Sequence, residues 1–368
     1  MQKKSVAVID VGSSKIVGVV AERGVNGTFV VKGRYTCEYD GYADGAFLDV
    51  KSLAHALDYA TREIKRITLG EDTVFYVGVP AEFIRTEVKE SNISLGRRRK
   101  ITREDVSGLF DMAFVMASSK YLLINRSAIF YELDGGIRTN AVIGKASETL
   151  KGLLSFLSCS KYFIDMVSAP LNGAGAKTVR FVPTELAEGR YLLDGRNFNR
   201  LSVMLDVGYI SSSFTVMRGN GIIFSDAFSY GGGYITANLI KRLDVDFDTA
   251  EKLKRKVNLC SVPTDGGSVL IEGSDGKYYD SEQIKESVLY SLDELCSKIF
   301  DTIDKFGNKL PDYSRLFVTG GGITFLRGAR EYVSERLGIP VDIVYPKVPL
   351  MDKPSESSVL SLLDYALG

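Results

Sequence analysis

A short pattern that occurs twice is the strongest constraint on how this chain folds. Near the N-terminus, residues 5–14 form an apolar stretch that ends in Asp-Val-Gly and two serines, and they lead into a second apolar stretch, residues 16–20. Roughly half a chain later, residues 203–213 repeat this order and lead into the apolar residues 214–217. Each copy predicts two antiparallel strands joined by a polar turn. Two copies this far apart predict two structurally related halves.

Charge and composition exclude several classes of function. The 46 Lys and Arg residues balance the 46 Asp and Glu residues, so no long-range attraction to nucleic acid is expected. The four cysteines are far apart in sequence, and His55 is the single histidine, which excludes a zinc knuckle and a Ser-His-Asp triad within one chain. No apolar stretch is long enough to cross a bilayer, which favours a cytoplasmic protein.

The two turns have the chemistry of a phosphate and metal site. Glycine lets backbone N–H groups approach a phosphate, and serine hydroxyls add donors. Asp10 and Asp206, one in each copy, could hold the waters of a bound Mg²⁺, and Lys15 could supply a positive charge. Residues 320–322, three glycines predicted to follow a strand and precede a helix, suit the adenosine end of a nucleotide. Two such turns could hold a triphosphate from opposite sides.

Plain structural roles remain open for the same residues. Asp10 and Asp206 could simply cap their turns, and Lys15 could be solvated. Glu251 and Lys254, three residues apart on a predicted helix, could form a surface ion pair. The basic run, residues 97–100, is predicted to be a solvated hairpin tip, with an acidic lipid or a polymer neighbour as the alternative.

These turns resemble the nucleotide motifs of the actin, Hsp70 and hexokinase superfamily. Residues 9–15 resemble its first phosphate motif, residues 205–208 the start of its second, and residues 319–322 its adenosine motif. Two further stretches are similar to those around the family's nucleoside pocket: Gly232-Gly233 with Thr236, and Ala250-Glu251 with Lys254.

Within this superfamily the chain resembles the FtsA-like bacterial cell-division proteins over nearly its whole length. Residues 76–79 and 101–106 are similar to the small extra domain that FtsA proteins carry in the first lobe. The implied fold is α/β and actin-like, with two lobes (a duplicated ribonuclease H-like fold) and a small α+β insert domain of the 1C, SHS2-like type in lobe I. The implied boundaries are residues 1–80, 161–200 and 345–368 for the lobe I core (1A), 81–160 for the insert, 201–240 and 305–344 for the lobe II core (2A), and 241–304 for the helical subdomain of lobe II (2B).

The resemblance implies ATP and Mg²⁺ as ligands, with the metal held through waters by Asp10 and Asp206. Three features depart from the family pattern. Tyr209 and Ile210 stand where the second phosphate motif has glycines, and their bulk is expected to push the backbone away from a phosphate. Residues 182–184 lack the hydrolytic Glu that precedes Pro-Thr in Hsp70-like members, and Glu185 and Glu188 are offset from it. Catalytic residues therefore stay unassigned, with at most weak ATPase activity expected. The expected nucleotide-binding residues are Asp10, Gly12, Ser13, Ser14, Lys15, Asp206, Gly208, Ser211, Ser212, Gly232, Gly233, Glu251, Lys254, Gly320, Gly321, Gly322 and Ile323.

The resemblance also implies a biological role, an assembly and adaptor protein of the divisome. Such a protein binds the tubulin-like ring protein FtsZ on a surface within about residues 241–300, and it associates with itself into filaments or oligomers. The third departure is that FtsA proteins commonly end in a membrane-binding helix that this sequence lacks. Either that tail is missing or a partner supplies the membrane contact at the inner face of the cell membrane. The alternatives are a PilM-type adaptor of type IV pili, a nucleotide-free pseudo-ATPase scaffold and, less favoured, a small-molecule kinase.

Overall fold

The computed structural model describes residues 5–25, 28–69, 73–114, 119–193, 200–261, 269–307, 310–311 and 314–368. The strands are β1 (Val6–Val11), β2 (Lys15–Arg23), β3 (Phe29–Glu38), β4 (Tyr42–Ala43), β5 (Ala46–Phe47), β6 (Val74–Val79), β7 (Ile84–Lys100), β8 (Tyr121–Leu133), β9 (Ile137–Thr139), β10 (Ala146–Ser160), β11 (Thr178–Pro183), β12 (Ser202–Val207), β13 (Ser212–Arg218), β14 (Gly221–Phe228), β15 (Leu270–Glu272), β16 (Tyr278–Asp280), β17 (Leu316–Thr319) and β18 (Val341–Ile343). The helices are α1 (Val50–Ile67), α2 (Arg103–Ala113), α3 (Lys161–Gly173), α4 (Thr184–Leu192), α5 (Gly232–Leu243), α6 (Phe247–Lys256), α7 (Ser281–Phe306), α8 (Ala329–Leu337) and α9 (Ser357–Leu367). Among these helices, none is both long and apolar enough to cross a membrane.

Lobe I is built on a five-stranded sheet in the order β11-β6-β1-β2-β3. The β1–β2 and β2–β3 pairs are antiparallel, whereas β1 pairs with β6, and β6 with β11, in parallel. Both faces of β1 are covered: Ile9 packs in the cluster with α1 and α3, and Val8 packs in the cluster with α9. Burial on both faces explains why β1 is an almost continuous apolar run and not an alternating one.

Lobe II repeats this plan in the order β14-β13-β12-β17-β18. Its β12–β13 and β13–β14 pairs are antiparallel, and β12–β17 and β17–β18 are parallel. The two hairpins, β1–β2 and β12–β13, therefore occupy equivalent places in two equivalent sheets, which confirms the two related halves. One apolar core joins the sheet of lobe II to α5, α6 and α7, with Leu205 and Phe214 on the strands and Leu292 and Leu295 on α7.

A third sheet, the insert sheet, has the order β7-β10-β8-β9 and carries α2 on one face. A capping box begins α2: the Thr102 hydroxyl accepts from the Asp105 N–H, and the Asp105 carboxylate accepts from the Thr102 N–H. The prediction that residues 97–100 form a hairpin tip is wrong. They continue β7, because Arg99 pairs with Ser147 of β10 beyond a β-bulge, and Arg99 also forms two hydrogen bonds to Asp105. The domain boundaries themselves stay predictions.

The other face of the insert sheet contacts both lobes. Leu157 of β10 lies in one apolar cluster with Leu186 of α4 in lobe I and with Met217 and Phe317 of lobe II. The turn between β13 and β14 approaches the insert closely, because a Cβ added to Gly221 would lie 2.7 Å from Cγ1 of Ile129. The insert sheet therefore joins lobe I to lobe II on the side away from the hairpin turns.

Leu157→Ala is expected to destabilise the protein by about 2–5 kcal/mol, the usual range for truncating a buried leucine. The side chain is fully buried between three parts of the molecule, so its loss leaves a cavity that no single element can fill. The measurement is the urea midpoint of unfolding. Leu122→Ala is the matched control, because Leu122 is 43% exposed in the neighbouring strand, and it should cost less than about 1 kcal/mol. Equal costs at the two positions would contradict this packing.

Candidate functional site

The turns of the two hairpins meet between the lobes. A glycine N–H closes each turn with a hydrogen bond to a backbone carbonyl. In the first turn Gly12 donates to Lys15 at 3.0 Å, and in the second turn Gly208 donates to Ser211 at 3.0 Å. Across the gap, Oγ of Ser13 accepts hydrogen bonds from the N–H of Ile210 at 3.0 Å and of Ser211 at 3.4 Å. The two Asp-Val-Gly turns therefore face one shared cleft.

Glycines allow three backbone segments of lobe II to pack against each other below this cleft. The Gly232 N–H donates to the Gly208 carbonyl at 3.0 Å, and the Gly322 N–H donates to the Val207 carbonyl at 2.7 Å. Gly320 has φ +87°, and a Cβ there would lie 2.1 Å from Oδ1 of Asp206. The expectation that a helix follows residues 320–322 directly is wrong, since α8 begins only at Ala329, so this turn is not a helix N-terminus.

A cavity of about 730 Å³ lies between the lobes and contains most of the expected site. Eleven of the expected residues line it: Asp10, Gly12, Ser13, Ser14, Lys15, Asp206, Gly208, Ser211, Ser212, Gly320 and Gly321. Six expected residues do not line it: Gly232, Gly233, Glu251, Lys254, Gly322 and Ile323. The residues expected to bind phosphate therefore line this cavity, whereas most of those expected at the nucleoside do not.

Four carboxyl groups line the cavity, and burial raises the pKa of each one. The pKa of Asp10 rises to about 7, mainly because of burial and then because of the Asp206 charge, and the pKa of Asp206 rises to about 6 through burial. Burial also raises the pKa of Glu185 to about 7, and together with the Asp206 charge it raises that of Glu188 well above the ordinary value. A ligand that brings a cation into this cavity would favour the charged form of these groups.

The carboxyl groups suit a hydrated cation better than one that they coordinate directly. In the part of the chain that the structure describes, no three His, Cys, Asp or Glu side chains are grouped closely enough to hold a metal ion. Mg²⁺ usually keeps several waters and takes only one or two carboxylates. Asp10 of β1 and Asp206 of β12, one from each lobe, both line the cavity, and metal binding through waters stays a prediction.

The residues expected at the nucleoside pocket form a closed network behind the cavity wall. Lys254 is 2% exposed, and its ammonium group donates to the Gly232 carbonyl at 3.1 Å, to the Thr236 hydroxyl at 2.7 Å and to the Glu251 carboxylate. This arrangement corrects the alternative of a surface ion pair between Glu251 and Lys254. The pair is buried because α6 turns this face toward α5, whose first turn supplies Gly232 and Thr236.

The turn that contains Tyr209 and Ile210 keeps its hydrogen bonds. The Ile210 N–H points across the cleft to Ser13, and Gly208 keeps its turn hydrogen bond. The Tyr209 ring lies beside Gly233, 2.9 Å from an added Cβ, and Cδ1 of Ile210 would lie 3.0 Å from a Cβ added to Gly41. The expected displacement of this backbone from a phosphate stays a prediction.

Several lining residues were missed by the sequence reasoning. Arg255 directly follows Lys254, and Phe325 comes two residues after Ile323. Both therefore adjoin stretches that the resemblance identified, and extending those motifs would have included them. Lys353 and Ser355 also line the cavity, but they come from the segment before α9, which carries no motif. Tyr42 lies in the short β4–β5 hairpin, and nothing in its local sequence indicates that this hairpin reaches the cleft.

Glu185→Gln is expected to stabilise the ligand-free protein more at pH 8 than at pH 5. The folded-state pKa of about 7 lies above the unfolded value of about 4.5, so the stability that the protonated carboxyl contributes is lost as the pH rises through this interval. Glutamine cannot ionise, so the difference in free energy of unfolding between the glutamine variant and the parent grows as the pH rises, by at most about 1.4 kcal/mol per pH unit.

The readout for this substitution is the difference in melting temperature between variant and parent at the two pH values. Glu90→Gln, at an exposed position of β7, controls for the loss of one surface charge. A difference for Glu185→Gln that shrinks from pH 5 to pH 8 would contradict a raised pKa at this position.

Comparison with known proteins shows a similarity to one protein family and a shared fold. The family model described as "Cell division protein FtsA" matches residues 203–361. Cell division protein FtsA of Enterococcus hirae is 23% identical over 368 residues, which cover 97% of this chain and 82% of that protein. Cell division protein FtsA of Buchnera aphidicola (subsp. Acyrthosiphon pisum, strain APS) is 21% identical over 381 residues, which cover 99% of this chain and 91% of that protein.

Two solved structures illustrate the shared fold. The PilM-PilN type IV pilus biogenesis complex matches with a TM-score of 0.63 and 15% identity, covering 99% of this chain and 98% of the matched chain. The crystal structure of MreB5 of Spiroplasma citri bound to ADP matches with a TM-score of 0.55 and 12% identity, covering 98% of this chain and 95% of that one. With paired hairpins and two equivalent sheets, this chain has the actin-like two-lobed fold, and over nearly its whole length its sequence is similar to cell division protein FtsA.

Proposed function

We propose that this chain binds ATP with Mg²⁺ between its lobes and acts as an FtsA-type assembly and adaptor protein of bacterial cell division. The observation that carries the proposal is the pair of hydrogen bonds from the Ile210 and Ser211 N–H groups to the Ser13 hydroxyl. These donors belong to one lobe and their acceptor to the other. A ligand that replaces this acceptor contacts both lobes at once.

A phosphate oxygen can replace the Ser13 hydroxyl as the acceptor of these two N–H groups. Both are hydrogen-bond acceptors of similar size, and successive backbone N–H groups in a turn are a common anion site. Lys15 lines the same end of the cavity and contributes a positive charge. MreB5, which shares the fold, has been solved with ADP and with AMPPNP, which supports a nucleotide as the ligand class.

Asp10 and Asp206 would hold the hydrated Mg²⁺ of the nucleotide. When bound, the metal neutralises charge on the phosphates and on these two carboxylates. The raised pKa values of both groups mean that their charged forms lack compensation within the protein itself. Binding of the metal nucleotide should therefore be tighter at pH values where both carboxyl groups are ionised.

Hydrolysis is proposed to be weak or absent. Glu185 and Glu188 are the carboxyl groups near the expected position of a water-orienting acid. Glu188 already accepts a hydrogen bond from the Ser358 hydroxyl at 2.8 Å, and burial favours its protonated form, so it is a poor proton acceptor. Bound ATP would then act mainly by favouring one arrangement of the lobes, and so tune self-association or partner binding.

FtsZ is proposed as the partner, on the surface of residues 241–300, with membrane contact through a further segment or another protein. The FtsA relatives, described as cell-division proteins, support this assignment. A PilM-type role in pilus assembly is the second candidate, favoured by the TM-score of 0.63 to the PilM-PilN complex. Purification of tagged protein from its own cells distinguishes them: recovery of the tubulin-like ring protein supports division, and recovery of a pilus membrane subunit would overturn it.

Mg·ATP at a hundred times its Kd is expected to stabilise the protein by about 2.7 kcal/mol. Since 1 kcal/mol shifts the melting temperature of a domain of 150–250 residues by roughly 2–4 °C, the melt should move by several degrees. Lys15→Gln should reduce this shift, because it removes the cation at the phosphate end. Lys298→Gln, at an exposed position on α7 that does not line the cavity, is the matched control and should leave the shift unchanged.

A flat melt with millimolar Mg·ATP would remove the ATP proposal but not the fold. If Mg·ATP raises the melting temperature of the Lys15→Gln and Lys298→Gln variants as much as that of the parent, the ligand binds outside this cavity.

A further inference from the structure

The ring of Tyr209 lies over the residues expected to recognise the nucleoside. Its edge packs against Gly233, where an added Cβ would lie 2.9 Å from ring atom Cε1 and 3.1 Å from Cζ. The ammonium group of Lys254 lies 5.7 Å from the centre of this ring and the same distance from the centre of the Phe325 ring. Tyr209 and Phe325 line the cavity, whereas Gly233 and Lys254 do not. The aromatic rings thus form the wall between the cavity and these groups.

The polar groups behind this wall form hydrogen bonds with each other. An ammonium group has three donors, and Lys254 directs them to the Gly232 carbonyl, the Thr236 hydroxyl and the Glu251 carboxylate. The other oxygen of Glu251 accepts from Arg255 at 3.4 Å. The Tyr209 and Phe325 rings both lie between this network and the cavity, and the Tyr209 side chain also hydrogen-bonds to Thr236, so the Tyr209 ring covers part of the approach from the cavity to these partners.

The backbone of Tyr209 belongs to the turn that faces the phosphates. Its carbonyl accepts from the Gly233 N–H at 2.7 Å, and the next residue donates its N–H to Ser13. The ring can therefore rotate about its side-chain torsions while these backbone donors stay in place, at the loss of its hydrogen bond to Thr236. The position of the ring and the position of the Ile210 N–H are thus separable.

We propose that Tyr209 closes the nucleoside pocket of this chain and sets how tightly the cleft holds the nucleoside part of its ligand. The inference rests on the proposed nucleotide-binding function and adds to it a residue that departs from the family motif. With the ring in place, the network of Gly232, Thr236, Glu251 and Lys254 does not line the cavity, whereas Gly320 and Gly321 do. The apparent affinity for a nucleotide is then reduced by the fraction of molecules in which the ring is turned away.

The test compares Mg·ATP with Mg·tripolyphosphate, which has the phosphates but no nucleoside, by calorimetric titration of the full chain. Tyr209→Ala should tighten ATP binding by at least about tenfold and change tripolyphosphate binding by less than about twofold. Tyr209→Phe keeps the ring but loses its hydrogen bond to Thr236, and as the matched control it should stay much closer to the parent than the ring-free variants for both ligands. Tyr209→Ser is a second ring-free variant in case the alanine variant does not fold.

The outcomes separate this inference from the proposed function. If ring-free variants bind both ligands as the parent does, or bind ATP more weakly, Tyr209 does not close the pocket, while phosphate binding still supports the nucleotide site. If they tighten both ligands equally, the ring acts on the phosphates and the inference is overturned. If no variant and no parent protein binds either ligand, the proposed function fails and the inference fails with it.

Discussion

The hydrogen bonds between the Ser13 hydroxyl and the N–H groups of Ile210 and Ser211 are the interaction on which the account of this molecule depends. They join the turn of one hairpin to the turn of its counterpart in the other lobe. On the opposite side of the molecule the lobes are joined by apolar packing around Leu157 of the insert sheet. The first junction is polar and the second is apolar, and further hydrogen bonds join Ser229 to Asp44 and Thr319 to Ser357. Under the proposed function, a ligand that takes over the Ser13 junction would alter the relation between the lobes while their apolar core stays intact.

Four carboxyl groups lie in the cleft between the two hairpin turns. Asp10, Glu185, Glu188 and Asp206 line one cavity, and burial shifts all four toward their neutral forms. The closed, ligand-free cleft thus favours protonated carboxyl groups, whereas a bound metal nucleotide favours their ionised forms. Proton release is therefore expected to accompany ligand binding, since the two states of the cleft differ in charge as well as in contacts.

The features that the sequence predicted best are those determined by local patterns. The two hairpins follow from apolar stretches of a few residues joined by a polar Asp-Val-Gly turn. The features it missed depend on distant partners. Residues 97–100 extend β7 because β10 lies beside them, and Lys353 reaches the cavity from the far end of the chain. The orientation of the Tyr209 ring depends on the space left by Gly233, which no local pattern reveals.

A crystal structure of the complex with Mg²⁺ and a non-hydrolysable ATP analogue tests the central claim most directly. The account predicts that phosphate oxygens lie between the two hairpin turns and accept the Ile210 and Ser211 N–H groups in place of the Ser13 hydroxyl. An analogue bound elsewhere, with the hydrogen bonds to Ser13 unchanged, would contradict it.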